Sequence, residues 1–149
     1  MPPKTLIAPS VLRGSLGHIF IAERDGDDYR FRLFGTKAAE TLHRDITGYC
    51  LSDILSGEDL NHVRSIFDRC HDDQAIVATS ERLLEKGREY TLVEILRCPF
   101  ADDAGRSHYV AGTFTAFGHS GDGYRHKVLE QRELVYEHDV LDRLDIPVV

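Results

Sequence analysis

Residues 90–100 constrain the fold more than any other part of the sequence. They follow the period of two that is typical of a β-strand. One face of this strand carries Thr91, Val93 and Ile95, and the other carries mostly Leu92, Leu96 and Cys98. Because both faces are largely apolar, we expect the sheet to be covered on both sides. Helices can cover one side, and an N-terminal helix, the tail or a second subunit must cover the other.

Four further segments read as strands of the same sheet. Residues 75–84 and 108–117 lie on either side of the central run and are separated from it by turn-forming residues. Near the start of the chain, residues 18–23 and 29–33 are joined by a turn whose strongest signal is Asp25-Gly26. The pattern therefore predicts one hairpin followed later by three long antiparallel strands.

The second strand alternates apolar and basic residues. Tyr29, Phe31 and Leu33 are predicted on one face, with Arg30 and Arg32 on the opposite face. Two interpretations of the arginines remain open. They are either solvated charges that block unwanted pairing at a sheet edge, or contacts to an anion or a partner.

Between the two groups of strands the sequence favours helices. Thr36 can cap a short helix that runs to Leu42, and residues 43–57 suggest one or two helical turns. Residues 56–59 have the form of a capping box for a longer helix. Its apolar stripe consists of Leu60, Val63, Ile66, Phe67 and Cys70.

The element order predicts an α+β fold with a five-stranded antiparallel sheet and short helices packed on one face. A further N-terminal helix is expected to begin near Pro9, and a C-terminal helical tail is expected over residues 125–143. We predict an N-terminal arm at residues 1–8, one domain at residues 9–118, and a linker with the helical tail at residues 119–149.

Composition excludes several classes of protein. The chain has 149 residues and a net charge of −7, without a cluster of basic residues, so nucleic-acid binding is not expected. No apolar run is long enough to span a membrane, and the first residues do not form a secretory signal. Three widely spaced cysteines, Cys50, Cys70 and Cys98, are typical of reduced, buried thiols in a cytoplasmic protein.

Two motifs resemble the PAS domain family. They are Tyr29-Arg30-Phe31-Arg32-Leu33-Phe34-Gly35-Thr36 and Arg44-Asp45-Ile46-Thr47-Gly48-Tyr49. More narrowly, they resemble a stand-alone proteobacterial PAS subfamily with a Tyr-Arg-x-Arg-x-x-Gly-Thr strand end and an Arg-Asp-x-Thr-Gly turn. The motif positions are Tyr29, Arg30, Arg32, Gly35, Thr36, Asp45, Thr47 and Gly48. The resemblance covers about residues 7–118, and its second half rests on strand order alone.

The resemblance implies a cavity between the sheet and the helices, which in the wider family holds haem, flavin, small acids or nothing. It also implies that the outer sheet face and flanking helices form dimers and partner contacts. Apolar residues that could wall such a pocket are Phe31, Leu33, Ile54, Leu55, Val63, Ile66, Phe67, Leu92 and Leu96. The same residues could equally fill a solid core.

The sequence does not identify a cofactor. The reactive-cysteine motif of light-sensing flavin domains is absent around Cys50, so flavin is not expected. His62 and His71 lie at the flanks of the helical stripe, which points an axial haem ligand away from the cavity. We find no histidine and cysteine spacing typical of zinc, and Asp25-Gly26-Asp27-Asp28 lacks the distal glutamate of a calcium loop.

The function expected from the sequence is a sensory module rather than an enzyme. It would bind a small ligand, an unknown signalling protein or both, and pass the signal on by surface contact. A ligand-free interaction adaptor or dimerisation module, in the form of a homodimer, is the alternative. A small enzyme with a cone-like α+β fold, using a buried Asp or His as base, is the third reading. A catalytic Cys–His pair is a separate possibility, since its partners meet in space rather than in sequence.

Overall fold

A computed structural model describes residues 1–7, 13–42, 44–85, 89–119 and 133–135 of the chain. Short 3-10 helices occur at Lys4–Ile7 and Leu16–His18. The α-helices are α1 (Thr36–Leu42), α2 (Leu51–Ile54) and α3 (Gly57–Asp72). The strands are β1 (Ile19–Asp25), β2 (Asp28–Phe34), β3 (Val77–Glu85), β4 (Glu89–Ala101), β5 (Ser107–His119) and β6 (Glu133–Val135).

All strand pairs in the sheet are antiparallel, and the strand order is β2-β1-β5-β4-β3-β6. The first hairpin joins the later three strands where β1 pairs with β5, with Phe20 opposite Gly112. The helices lie between β2 and β3 in the sequence and pack on one face of the sheet. The predicted five-stranded antiparallel sheet with short helices on one face is confirmed.

A sixth strand corrects the expectation for the tail. Within the predicted helical segment 125–143 the structure describes residues 133–135, and these form β6, whose Leu134 is opposite Glu81 of β3. Pairing with β3 satisfies backbone hydrogen-bonding groups that would otherwise be unpaired at a sheet edge. Because the two strands are distant in the sequence, the helical preference of residues 125–143 does not indicate this pairing. The rest of the predicted tail helix and the predicted helix at Pro9-Ser10-Val11-Leu12 lie outside the described residues.

Residues 1–7 contact the sheet. The amide of Ala101 donates to the carbonyl of Pro2 at 2.8 Å, and Pro3 forms a parallel bridge with Ala101. Nearby, Lys4 Nζ lies 4.7 Å from the centre of the Tyr109 ring. Since Tyr109 alternates with the core residue Val110, these contacts lie on the sheet face opposite the helices. The N-terminal segment thus covers part of the outer face where β4 ends and β5 begins.

The register of the first hairpin differs from simple alternation. Ile21 is opposite Leu33 and Ala22 is opposite Phe31, so Arg32 is an extra residue in β2. A bulge of this kind shifts the side-chain alternation by one position. Phe31 therefore faces the core, whereas Leu33 is half-buried and lies outside the core cluster, which corrects the prediction that it shares a face with Tyr29 and Phe31.

The long helix α3 has the predicted apolar face. Val63, Ile66, Phe67 and Cys70 are buried, and Leu60 packs against the core from the edge. Ser56 occupies the N-cap position, but its side chain makes no capping hydrogen bond, so the predicted capping box is wrong. In α2 the Asp53 carboxylate instead accepts a hydrogen bond from the Cys50 amide at 2.8 Å.

Aromatic side chains dominate the core between α3 and the sheet. The Phe67 ring lies 5.1 Å from the Tyr29 ring and 6.2 Å from the Phe20 ring, measured between centroids. The Phe34 and Phe114 rings meet edge to face at 5.6 Å. Such edge and tilted arrangements are favourable for aromatic pairs. Among the described residues there is no helix long and apolar enough to cross a membrane.

Candidate functional site

A cavity of about 240 Å³ lies between the sheet and the helices. Its walls come from both layers, and most of the lining is apolar or aromatic. The lining residues are Phe20, Phe31, Phe34, Leu42, Arg44, Ile46, Leu51, Ile54, Leu55, Val63, Phe67, Ile95, Arg97 and Phe114. A largely apolar cavity with a few polar groups is the usual form of a small-molecule site.

The structure brings five of the nine predicted pocket residues to this cavity: Phe31, Ile54, Leu55, Val63 and Phe67.

Three of the other four candidates are not among the lining residues. Ile66 is buried in the core beside the cavity. Leu33 is turned away by the bulge, and Leu96 is half-buried on the opposite face from Ile95. Leu92 belongs to β4, but its side chain lies outside the described part of the chain.

Two arginines in the cavity wall were missed by the sequence reasoning. Arg97 follows Val93 and Ile95 at the period of two, so extending the inner face of β4 by one step would have found it. Because arginine is rarely buried, the charge of Arg97 predicts a solvent-facing side chain rather than one in the cavity wall. Arg44 belongs to a turn motif, and no periodic signal marks it as a lining residue.

Arg97 lies on β4, where the sheet forms the floor of the cavity. It is only 2% exposed. Nη1 donates to the hydroxyl of Thr79 on β3 at 2.8 Å, and the guanidinium carbon lies 5.3 Å from the centre of the Phe67 ring on α3. A cation over an aromatic face is attracted by the ring electrons, so Arg97 contacts both layers of the fold.

Arg44 stands at the opening of the cavity. It is exposed and also lines the cavity, so it lies where the cavity meets solvent. Its guanidinium carbon is 4.7 Å from the centre of the Tyr49 ring, which is 41% exposed. Arg44 and Tyr49 therefore lie together at the mouth of the cavity.

The Asp-x-Thr-Gly turn next to Arg44 is built by short polar contacts. Asp45 Oδ1 accepts hydrogen bonds from the Thr47 amide at 2.9 Å and from its hydroxyl at 2.7 Å. The Thr47 hydroxyl in turn accepts from the Phe34 amide at 3.1 Å. These bonds lower the pKa of Asp45. The motif positions Asp45 and Thr47 therefore fix the turn against the end of β2.

Gly48 completes the attachment of this turn to β2. Its amide donates to the Phe31 carbonyl at 2.7 Å, and the Phe31 amide donates to the Tyr49 carbonyl at 2.9 Å. Gly48 has a φ of 89°, in the region that favours glycine. These bonds cover the outer edge of the sheet, because β2 is its terminal strand.

The remaining motif positions are Gly35, Thr36 and Tyr29. A Cβ on Gly35 would lie 2.4 Å from the carbonyl oxygen of Gly17, so the close approach of these two segments requires glycine. Thr36 is exposed and is the first residue of α1 rather than its cap. Tyr29 is fully buried.

The two motif arginines form ion pairs within the hairpin. Arg30 pairs with Asp25 at 3.0 Å and donates from Nη1 to the Gly48 carbonyl at 2.8 Å. Arg32 pairs with Glu23. Of the two open interpretations, these contacts favour a structural role at the sheet edge over contact with an external anion.

A buried carboxylate joins the hairpin to the helices. Asp28 Oδ2 accepts from the Ser52 hydroxyl at 2.6 Å and lies 3.4 Å from Arg64 Nη2. Its other oxygen accepts from the Tyr29 amide at 2.7 Å. Burial alone would raise the pKa of Asp28, but the hydrogen bonds from Ser52 and Tyr29 and the charge of Arg64 outweigh it and lower the pKa.

Neither helical histidine lines the cavity in the described part of the chain. His71 Nδ1 lies 2.6 Å from a carboxylate oxygen of Asp72, and the His71 ring meets the Tyr29 ring edge to face at 6.1 Å. His62 is half-buried on α3. The described residues contain no group of three or more histidine, cysteine, aspartate and glutamate side chains that could hold a metal ion.

The thiols are protected from reaction by their surroundings. Burial raises the pKa of Cys70 far above its ordinary value, and burial also raises the pKa of Cys50 and of Cys98. A thiol of raised pKa is a poor nucleophile at neutral pH. The structure thus gives no support to an activated cysteine at these positions.

Comparison with known proteins identifies the family. The family model described as PAS domain matches residues 1–115. A search of the curated proteins gave no match. The matched segment spans β1 to most of β5, together with all three α-helices and the cavity between them. This chain belongs to the PAS domain family, whose members are generally sensory and non-enzymatic modules.

Proposed function

We propose that this chain is a sensory module that binds a small molecule in the cavity and passes the signal to a protein partner by surface contact. The observation that supports the proposal is the cavity of about 240 Å³, lined by residues of both the sheet and the helices. We also propose that the chain belongs to the subfamily whose strand end and turn motifs were described above.

Occupancy of the cavity would act on both layers at once. Val63 and Phe67 lie on α3, whereas Ile95 and Phe114 lie on the sheet, and all four line the cavity. A ligand that binds one arrangement of these layers better than another shifts the population between them. The exposed faces of the helices and the outer face of the sheet then present a different surface to a partner.

The proposal is tested by filling the cavity. Val63 is buried on α3 and lines the cavity, so Val63→Phe should occupy part of it. Ser65 lies two residues further on the same helix and is exposed, so Ser65→Phe is the matched control. The melting temperatures of the three proteins are measured across a broad collection of metabolites.

The proposal predicts at least one metabolite that raises the melting temperature of the wild type and of Ser65→Phe in proportion to the logarithm of its concentration. Val63→Phe should lose this response while it still folds, as shown by its circular dichroism spectrum. If no metabolite shifts the wild type, or if Val63→Phe responds equally, ligand binding in the cavity is contradicted.

A ligand-free adaptor is the second candidate function. It is favoured by the outer sheet face, where Ile21, Leu33 and Leu96 are only half-buried within one chain. Apolar residues left partly exposed on a sheet face can form a contact with a second protein. Light scattering over a range of concentrations tests the homodimer, and a strict monomer would contradict it.

A further inference from the structure

We infer that the ligand is a small carboxylate with an apolar body, and that its carboxylate binds Arg44 at the mouth of the cavity. This inference rests on the proposed function, because it names the class of molecule that the cavity would take. It concerns the charge, the size and the orientation of that molecule.

The charge follows from the lining. Among the described lining residues only Arg44 and Arg97 are charged, and both are positive. An anion gains electrostatic energy in such a site, whereas a cation loses it. A guanidinium also matches a carboxylate geometrically, since two parallel N–H groups can donate to its two oxygens.

The orientation follows from exposure. Arg44 is exposed at the mouth, and Arg97 is 2% exposed on the floor, where it already donates to Thr79 and packs over Phe67. A carboxylate at the mouth keeps part of its hydration while it binds Arg44, which avoids the full cost of burying a charge. The apolar body then lies inward, against the phenylalanine rings and aliphatic side chains.

The size follows from the volume. An apolar cavity of about 150 Å³ takes up benzene. The cavity of about 240 Å³ is larger than this. It is below the roughly 300–1,000 Å³ typical of sites for drug-sized ligands. By proportion to benzene, a ligand of about ten non-hydrogen atoms fits, which is the size of phenylacetate or octanoate.

The experiment compares acids with neutral molecules of the same shape. Phenylacetate and octanoate are titrated into the labelled protein and followed by ¹H–¹⁵N spectra, beside phenylacetamide and octanamide. Arg44→Gln removes the charge at the mouth, and Arg44→Lys keeps it. Arg106→Gln is the matched control. Arg106 is an exposed arginine in the turn between β4 and β5 and is not among the lining residues.

We expect both acids to bind the wild type and Arg106→Gln at least about fivefold more tightly than the matching amides. A hydrogen bond to a charged group that remains partly in contact with water has an effect of this size. Arg44→Gln should abolish this preference, and Arg44→Lys should retain part of it. The largest amide shifts should occur at lining residues such as Phe67 and Ile95.

Three results would overturn the inference. If the amides bind the cavity as tightly as the acids, or if Arg44→Gln leaves the preference unchanged, the carboxylate assignment is wrong although the cavity still binds ligands. If none of the four probes shifts a lining residue, the carboxylate assignment also fails. The proposed function is contradicted as well only if no metabolite in the screen raises the melting temperature of the wild type.

Discussion

The hydroxyl of Tyr29 on β2 donates to Asp68 Oδ1 on α3 at 2.8 Å, and this bond joins the edge of the sheet to the long helix. Arg24 Nη1 on β1 donates to the same carboxylate oxygen at 3.0 Å. Tyr29 is fully buried, and burial together with the bond to Asp68 raises the pKa of its hydroxyl well above the ordinary value. The hydroxyl is therefore a donor throughout the physiological range.

Replacing Tyr29 by phenylalanine should destabilise the domain. Tyr29→Phe removes the donor, and we expect the free energy of unfolding to fall by about 1.5–3 kcal/mol, as is typical of a hydrogen bond to a charged group. Urea unfolding measures the change. Tyr49→Phe is the control, because Tyr49 is 41% exposed, and it should change stability by less than about 0.5 kcal/mol. Equal effects of the two variants would contradict this account.

The backbone of Gly48 should make the Thr-Gly turn sensitive to any side chain. A Cβ added there would meet no atom within 4 Å, so a loss of stability would come from the φ of 89° alone. We expect Gly48→Ala to cost about 1–2 kcal/mol in thermal or urea unfolding. Gly14→Ala also meets open space but has no such φ, and it should be neutral or slightly stabilising. A neutral Gly48→Ala would show that the turn relaxes easily.

Asp28 should make stability depend on acid pH. Its folded pKa is lowered, because hydrogen bonds from Ser52 and the Tyr29 amide outweigh burial, so the stabilisation is present above its unfolded pKa of about 3.9. It is lost as the pH falls from about 5 through the lowered folded pKa. We expect Asp28→Asn to lower the free energy of unfolding at pH 7 by about 1–3 kcal/mol.

The difference between Asp28→Asn and the wild type should shrink as the pH falls below about 4, which urea unfolding at a series of pH values measures. Asp103→Asn, on the exposed turn between β4 and β5, is the matched control and should follow the wild type. A difference that is constant from pH 7 to pH 3 would show that Asp28 acts through packing rather than through its charge.

The thiols should react slowly in the native protein. Burial raises the pKa of all three, so the thiolate fraction at pH 7.4 is small, and iodoacetamide should modify them at least about tenfold more slowly than it modifies glutathione. Mass spectrometry of timed samples gives the rates, and denatured protein shows that the thiols are free to react. Rapid labelling of one native cysteine would indicate an activated thiol and reopen the possibility of catalysis.

The fold could be predicted from the sequence where local periodicity matches the sheet. The alternation of residues 90–100 identified β4, and the stripe at Val63 and Phe67 identified α3. Periodicity failed at Leu33, because a bulge in β2 shifts the alternation without a sequence signal. It also failed at residues 133–135, because β6 is defined by its pairing with β3 and not by its own propensity.

The candidate site could be predicted only in part. Five apolar lining residues were identified because they lie on the inner faces of elements that the sequence already marked. Arg97 was missed since charge normally indicates a solvent-facing position. The cavity itself depends on how the side chains of α3 and the sheet pack together, and no local pattern encodes an unfilled volume.

The central claim is that the cavity admits a small molecule, and xenon tests this without regard to ligand charge. Apolar cavities of this kind bind xenon. Methyl ¹H–¹³C spectra recorded under increasing xenon pressure should show saturable shifts at Val63, Ile95 and Leu51, which line the cavity. Val77 and Val110, which are buried in the core but do not line it, should shift less. Equal shifts in both groups, or none in the lining methyls, would contradict the account.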